Sequence, residues 1–322
     1  MKAAVYYQNG GPEVLRYEDV PDPVAGAGEV LLRVEAVGVQ GGDVLFRQFA
    51  PVQAAPHIVG YQAAGTIATL GEGVTGLREG QRVVAFMAAG SHAELAVVKD
   101  YNVYPVPDDM DPRVAAGILV EFATADECLF EFGRLRAGET VLVQAAASGV
   151  GVAAVQLAKA AGATVIGTAS SDEKLARLTE LGLDHAINYR DTDVVARVKE
   201  ITDGRGVDVV IDPVGGRTLE GSIEALAYRG RITWIGEAGR DGHTPQIRPL
   251  MGKNASLHGV YLAGGMQRDR ARIRAVIEKL IARVAAGELT VVIDREFPLA
   301  DAAEAHRYIE SRAAFGRVLL VP

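Results

Sequence analysis

Apolar and polar positions change their rhythm about a third of the way along the chain. Short apolar runs with near-alternate polar positions fall at 1–7, 30–39, 58–70, 82–86 and 93–98, separated by Gly, Pro and Asp clusters. Period-two segments closed by such residues predict strands. Their close succession without long helices predicts a small β-barrel or folded sheet. From Asp111 onward the pattern lengthens. Residues 112–132 read as helix, in two pieces around 121–124. Apolar runs at 140–144, 164–168, 185–188, 207–211, 231–235 and 256–261 then alternate with helical segments at 150–161, 173–181, 193–202 and 219–227. This predicts βαβ units with right-handed crossovers, and six strands is the full doubly wound count. A helix over 269–286 carries Ile273, Ile277, Leu280 and Val284 on one face. A strand at 291–293, a helix at 301–311 and a strand at 317–321 follow. The fold class is therefore α/β: a β-rich domain plus a doubly wound parallel sheet.

The turn that joins the first two elements of the alternating region carries the most chemical information. In VLVQAAASGVGVAAVQLAKAAG a buried strand runs through small residues into a helix. Small residues let backbone approach a pyrophosphate, and the helix start offers free N–H groups and a positive dipole end. Aligned on Gly151, the first two glycines of G-x-G-x-x-G become Ala146 and Ser148, with Gly149 as an extra glycine. The next strand ends at Thr168-Ala169-Ser170-Ser171. An NAD site places Asp or Glu there for the ribose hydroxyls. Small neutral residues followed by Lys174 suit a 2′-phosphate instead, which points to NADPH. A second reading stands beside it: Ser170 with Glu173 fits a capping box, with Lys174 solvated, and Asp172 complicates the phosphate site.

Composition narrows the classes. A length of 322 residues suggests two domains. With 33 basic and 41 acidic residues the formal charge is -8, which argues against nucleic acid as a main partner. The one cysteine, Cys128, excludes an internal disulfide and a thiolate-rich metal site. It lies on an apolar stretch and reads as a packing residue. The start, MKAAVYYQNGG, has no apolar run of signal-peptide length, and no run approaches a membrane span. The expected compartment is the cytoplasm. His57 and His92 have no ligand-spaced partners and take ordinary surface or core roles.

With those residues in view, the chain resembles the zinc-free NADPH:quinone oxidoreductase (zeta-crystallin-like) branch of the medium-chain dehydrogenase/reductase superfamily. The likeness runs from Met1 to Pro322 through MKAAVYYQNGGPEVL, GEVLLRVEAVGV, GVTGLREGQRVVAF, LRAGETVLVQAAASGVG, INYR, GVDVVIDPVGG and FGRVLLVP. It implies a GroES-like catalytic domain over 1–123 and 264–322, with a Rossmann dinucleotide-binding domain over 124–263 inserted between. Where zinc-dependent relatives carry Cys, His and Cys ligands, this chain has Gln40, Tyr61 and Val120, and the four-cysteine structural lobe is missing. Catalytic zinc needs about three ligands from His, Cys or carboxylate, so no metal residue is expected. The resemblance implies Gln40, Tyr61 and Thr124 as candidate catalytic residues. It also implies a cofactor site of Gln40, Thr124, Ser148, Gly149, Val150, Gly151, Ser171, Lys174, Tyr189, Ile235, Gly236 and Arg317. Asp43 and Arg47 match its D-x-x-x-R, as a structural pair or as substrate contacts. Glu237 departs from the family's small polar residue.

The expected reaction is NADPH-dependent hydride transfer to a quinone, which needs no dedicated general acid. An enoyl or 2-alkenal reductase would use the same residues, with Tyr61 or water giving the proton. A non-catalytic NADPH-binding protein and, third, a zinc alcohol dehydrogenase complete the alternatives. Strand 256–261, SLHGVY, lacks Pro and carries only His258 as a charge-capable group. Such an unprotected edge predicts a homodimer by strand pairing across a two-fold axis, a geometry the resemblance also implies. The alternative is that residues 264–270 fold back and cover the strand within one chain, and a Val260→Pro variant tests the surface.

Overall fold

The computed structural model describes residues 1–52 and 54–322. Contacts divide the chain into two units, Met1–Val120 with Ile277–Pro322, and Glu121–Val276. The divisions thus fall at 120/121 and 276/277, where the sequence suggested 123/124 and 263/264.

The first unit contains strands β1 (Lys2–Tyr6), β2 (Arg16–Asp19) and β3 (Glu29–Val39), then helix α1 (Gly41–Phe49). Strands β4 (His57–Ile58), β5 (Gln62–Leu70), β6 (Arg82–Phe86), β7 (Leu95–Lys99) and β8 (Val103–Pro105) follow, then helix α2 (Pro112–Ala115). The run read as one strand over 58–70 is broken. Gly60 adopts φ 101°, a left-handed value that no extended strand can pass through, and the chain turns there. The helix read over 112–132 also breaks, at 116–118 and not at 121–124. Helix α3 (Leu119–Asp126) resumes and passes into a π-helical stretch, Glu127–Phe132. Gly117 sits in the break, where a Cβ would lie 2.4 Å from Val291 Cγ1. Only glycine lets the chain pass so close.

The second unit alternates as expected. Its elements are β9 (Thr140–Val143), α4 (Gly149–Ala160), β10 (Thr164–Ala169), α5 (Asp172–Glu180), β11 (His185–Asn188) and α6 (Val194–Ile201). After them come β12 (Val207–Asp212), α7 (Gly216–Ala225), β13 (Leu226–Trp234), α8 (Arg248–Gly252), β14 (Ser256–Gly259) and α9 (Leu262–Arg268). The strands form a parallel sheet ordered β11-β10-β9-β12-β13-β14. Leu142, Ile166, Ile187, Val210, Ile223 and Ile232 fill its core. The order reverses between β9 and β12, which makes the C-terminal ends of those strands the switch-point crevice of a doubly wound sheet.

Helix α10 (Arg270–Ala285) carries the chain back to the first unit. There β15 (Ile293–Pro298), α11 (Ala302–Glu310) and β16 (Arg317–Val321) close the chain. Strand β16 pairs antiparallel with β3, Val318 opposite Val39, so the tail completes the sheet β15-β16-β3-β5-β6-β8. Strand β15 shares only Ile293 with the expected 291–293; the exposed Arg295 and Glu296 break the apolar alternation by which its later residues could be read as strand.

Strand β14 is a sheet edge, but Val260 does not face outward. Its amide donates to Trp234 O on β13 at 2.9 Å. Amides alternate sides along a strand, so the outward-facing ones belong to Leu257 and Gly259.

Candidate functional site

The glycine turn of the second unit is a built cradle. Ala145 takes φ 49°, and Ser148 Oγ caps α4 by accepting from Gly151 N at 3.1 Å. Val152 N donates to Ser148 O at 2.8 Å. The Gly149 and Val150 amides open the helix, among the first-turn donors that have no partner within it. A Cβ on Gly151 would stand 2.5 Å from Ala145 O, so the turn admits only hydrogen there. These features match what a pyrophosphate requires: two unspent donors, a dipole end, and backbone without side chains in the way.

A buried polar network fixes this edge, and sequence reading missed it. Ala145 N donates to Thr168 Oγ1 (3.1 Å), Thr168 Oγ1 to Gln144 Oε1 (2.8 Å), Gln144 Nε2 to Ser222 Oγ (3.1 Å), and Ser222 Oγ to Asp212 Oδ2 (2.8 Å). Asp212 Oδ1 accepts from Val214 N and Gly215 N at 2.8 and 2.9 Å. Burial pushes the Asp212 carboxyl up, against those hydrogen bonds. The signal was present in VLVQ and VVID: a polar residue closing each apolar strand at its C-terminal end.

At the end of β10 the capping reading needs correction. Ser171, not Ser170, is the N-cap of α5; its Oγ accepts from Lys174 N at 3.4 Å. The Ser171 hydroxyl keeps its proton to donate. Asp172 Oδ1 is taken by Asn188 Nδ2 at 3.1 Å, which engages the one acid that complicated a phosphate site. Strands β10 and β11 pair Ala169 with Asn188, so Tyr189, 44% exposed, leaves the sheet beside Ser170 and Ser171. Ile235 and Gly236 follow β13 at the same edge. Ile235 N donates to Asp212 O (3.0 Å), and Gly236 O accepts from Trp234 Nε1 (2.7 Å). Glu237 is exposed and lies against Gly215. Ser148, Gly149, Val150, Gly151, Ser171, Lys174, Tyr189, Ile235 and Gly236 thus share one edge of one sheet. Thr124 is buried on α3 of the same unit.

Gln40, Tyr61 and Arg317 belong to the first unit, around the end of β3. Gln40 is buried and caps α1; its backbone N–H donates to Asp43 Oδ2 at 2.8 Å. Tyr61 packs edge-on between Phe46 and Phe86, each ring 5.9 Å away, with its hydroxyl over Gly42. Arg317 is 7% exposed and its Nη2 donates to Val39 O at 2.9 Å. Of the D-x-x-x-R pair, Arg47 is structural: fully buried, it binds Glu310, His306 and Gly10 O. Gln62, unremarked in the sequence, is also fully buried. Its Nε2 donates to Ala116 O and its Oε1 accepts from Val120 N at 2.7 Å. It therefore holds two of the three positions aligned with zinc ligands, Tyr61 as its neighbour and Val120 by hydrogen bond. Cys128 is a core residue whose thiol burial pushes up to about 12.

Comparisons with known proteins agree with this geometry. The Alcohol dehydrogenase GroES-like domain family matches residues 26–108, and the Zinc-binding dehydrogenase family matches residues 149–282. A quinone oxidoreductase of Rattus norvegicus is 32% identical over 326 residues, covering 100% of this chain and 98% of its own. A 2-haloacrylate reductase of Burkholderia sp is 34% identical over 328 residues, covering 99% and 98%. The crystal structure of Escherichia coli quinone oxidoreductase complexed with NADPH superposes with a TM-score of 0.95 at 30% identity, covering 100% of both chains. The first unit is accordingly the GroES-like fold and the second the Rossmann fold. The chain belongs to the zinc-free quinone oxidoreductase branch of the medium-chain dehydrogenase/reductase superfamily.

Proposed function

We propose that this oxidoreductase uses NADPH to reduce a small, conjugated, electron-poor acceptor, a quinone first, without zinc. The observation that carries the reading is the edge of the Rossmann sheet. A cradle with two unspent amides opens at the start of α4, where a pyrophosphate would be received. The end of β10 offers a serine hydroxyl and Lys174 where an NAD site would hold a free carboxylate. NADPH, when bound, supplies the hydride. Gly149, Val150 and Gly151 receive its pyrophosphate, while Ser171, Lys174 and Tyr189 receive the 2′-phosphate and adenine side. Ile235 and Gly236 pass the nicotinamide ribose. Gln40, Thr124 and Arg317 bind near the nicotinamide, and Tyr61 lines the acceptor position. A reduced quinone takes its protons from water, so a site with few ionisable groups suffices. The likeness to a 2-haloacrylate reductase favours one second reading, reduction of an activated C=C bond. Tyr61 or water would then hold the proton for the α carbon.

Lys174→Ala tests the cofactor assignment. It is expected to weaken NADPH by about tenfold or more, since a charge-assisted contact is worth roughly 1.5–3 kcal/mol, and to leave NADH nearly unchanged. Titration by fluorescence measures both, and equal losses refute the assignment. The active form is a homodimer joined through β14. Gly259→Pro, which removes an outward amide and leaves the Val260 bond to β13, is expected to give a monomer by light scattering at micromolar concentration. A monomeric wild type, or a dimer indifferent to this proline, removes β14 as the interface.

A further inference from the structure

Arg47, His92 and His306 are fully buried in the first unit, and the proposed hydride chemistry uses none of them. Arg47 Nη1 lies 2.9 Å from His306 Nδ1. The Nε2 atoms of His306 and His92 are 3.0 Å apart, and His92 Nδ1 is 3.3 Å from Ser91 Oγ. A guanidinium has donors only, so His306 Nδ1 must accept. The ring proton of neutral His306 is then on Nε2 and points at His92 Nε2, which accepts in turn. The ring proton of His92 is left on Nδ1 and is given to Ser91 Oγ. Reversing the central bond would leave Arg47 facing another N–H.

The far end of this run meets Gly60. A Cβ on Gly60 would lie 2.1 Å from both His92 Nδ1 and Ser91 Oγ. Ser91 N and His92 N donate to Gly60 O and Val59 O at 3.0 and 3.1 Å. The turn that breaks the strand, and from which Tyr61 projects, therefore rests directly on the imidazole of His92. The near end is anchored on α11, where Glu310 binds both Arg47 and Gln48.

We propose that Arg47, His306, His92 and Ser91 form a one-way hydrogen-bond chain that fixes unlike tautomers in the two histidines and positions the Gly60–Tyr61 turn. Arg47, His92 and His306 are then positioning residues for Tyr61. The part played by Tyr61 rests on the function proposed above; the tautomers do not. The chain tolerates no extra proton. One on His306 Nδ1 would face the guanidinium, and one on His92 Nε2 would face the His306 N–H. Burial acts in the same direction, holding His92 at about 3 and His306 well below the usual imidazole range. The other ionisable groups around the chain are Glu310 on α11, Asp43 on α1 and Tyr6 on β1, with His57 on β4 packed edge-on against Tyr6.

Imidazole nitrogen NMR on the whole protein labelled with 15N-histidine tests the chain. At pH 7 to 8 it is expected to show His92 neutral with its proton on Nδ1, and His306 neutral with its proton on Nε2. Signals are assigned by single substitution. Like tautomers, or a charged ring on either residue, overturn the chain. Ser91→Ala, which keeps both rings, is expected to shift the His92 nitrogens and lower turnover severalfold with the KM for NADPH unchanged. Tyr61→Phe is run beside it. If Tyr61→Phe lowers turnover and Ser91→Ala does not, the positioning role is wrong. If Tyr61→Phe itself changes nothing, the assignment of Tyr61 and the positioning role fall together, and the tautomers still decide the chain.

Discussion

Replacing Arg272 with alanine is expected to lower stability by about 2–3 kcal/mol, between the loss from a surface bridge and that from a fully buried pair, because Glu127 is buried while Arg272 is partly exposed. Glu127 begins the π-helical stretch after α3 and is 2% exposed. Its two oxygens accept from Arg272 Nη1 and Nη2 at 2.5 and 2.8 Å. The same guanidinium reaches Asp269 at 2.5 Å and Glu131 at 3.5 Å. Three carboxylates therefore share one cation, which is why the Arg272 guanidinium is held more basic than usual. Without it Glu127 stays buried and unpaired beside two other acids. The shift of the urea transition measures the loss. Converting Glu127 to Gln in the Arg272→Ala background removes the stranded charge and should recover part of it. A loss under about 1 kcal/mol would place this pair with ordinary surface bridges.

Acid should destabilise the first unit from about pH 6.5 downward. His92 and His306 are held neutral in the folded protein, His92 down to about pH 3. In the unfolded chain they take protons near pH 6.5. A folded imidazole pKa below the unfolded value means that the unfolded state binds more protons in this window. Stability is then full above pH 6.5 and falls as pH drops toward the folded value. The slope is up to about 1.4 kcal/mol per pH unit for each histidine. His306→Gln should flatten the decline between pH 6.5 and 5 by roughly one histidine's share. Urea unfolding at several pH values provides the comparison, and an unchanged slope would mean that His306 is not held neutral.

The alternating rhythm of the Rossmann unit was legible because its central strands β9, β10 and β12 are apolar runs buried on both faces and the helices between the strands carry apolar faces. His185–Asn188 falls where that pattern puts it, and so, in the first unit, does Arg317–Val321. Errors arose where a single backbone geometry overrides pattern. Gly60 stops a strand that the residues 58–70 would otherwise continue, and Gly117 breaks a helix through close contact with Val291. Neither contact exists until distant segments meet. The turn from β9 into α4 was legible because a run of small residues between an apolar strand and a helical segment marks such a turn. The choice between Ser170 and Ser171 as cap was not, since the two differ by one residue and both precede a helix. The contacts of Gln62 with Ala116, of Arg47 with His306 and Glu310, and of His92 with His306 stayed hidden because those partners lie 54 to 263 positions away. Only the fold brings those groups together.

The central claim is hydride transfer from NADPH to a conjugated acceptor without zinc. It is tested most directly by following NADPH oxidation by the metal-analysed, chelator-treated protein against quinones, 2-alkenals, 2-haloacrylates and enoyl thioesters. The account predicts sub-stoichiometric zinc, turnover undiminished by the chelator, and the highest kcat/KM among the quinones. Stoichiometric zinc with activity lost to the chelator, or no turnover on any acceptor despite tight NADPH binding, would contradict it.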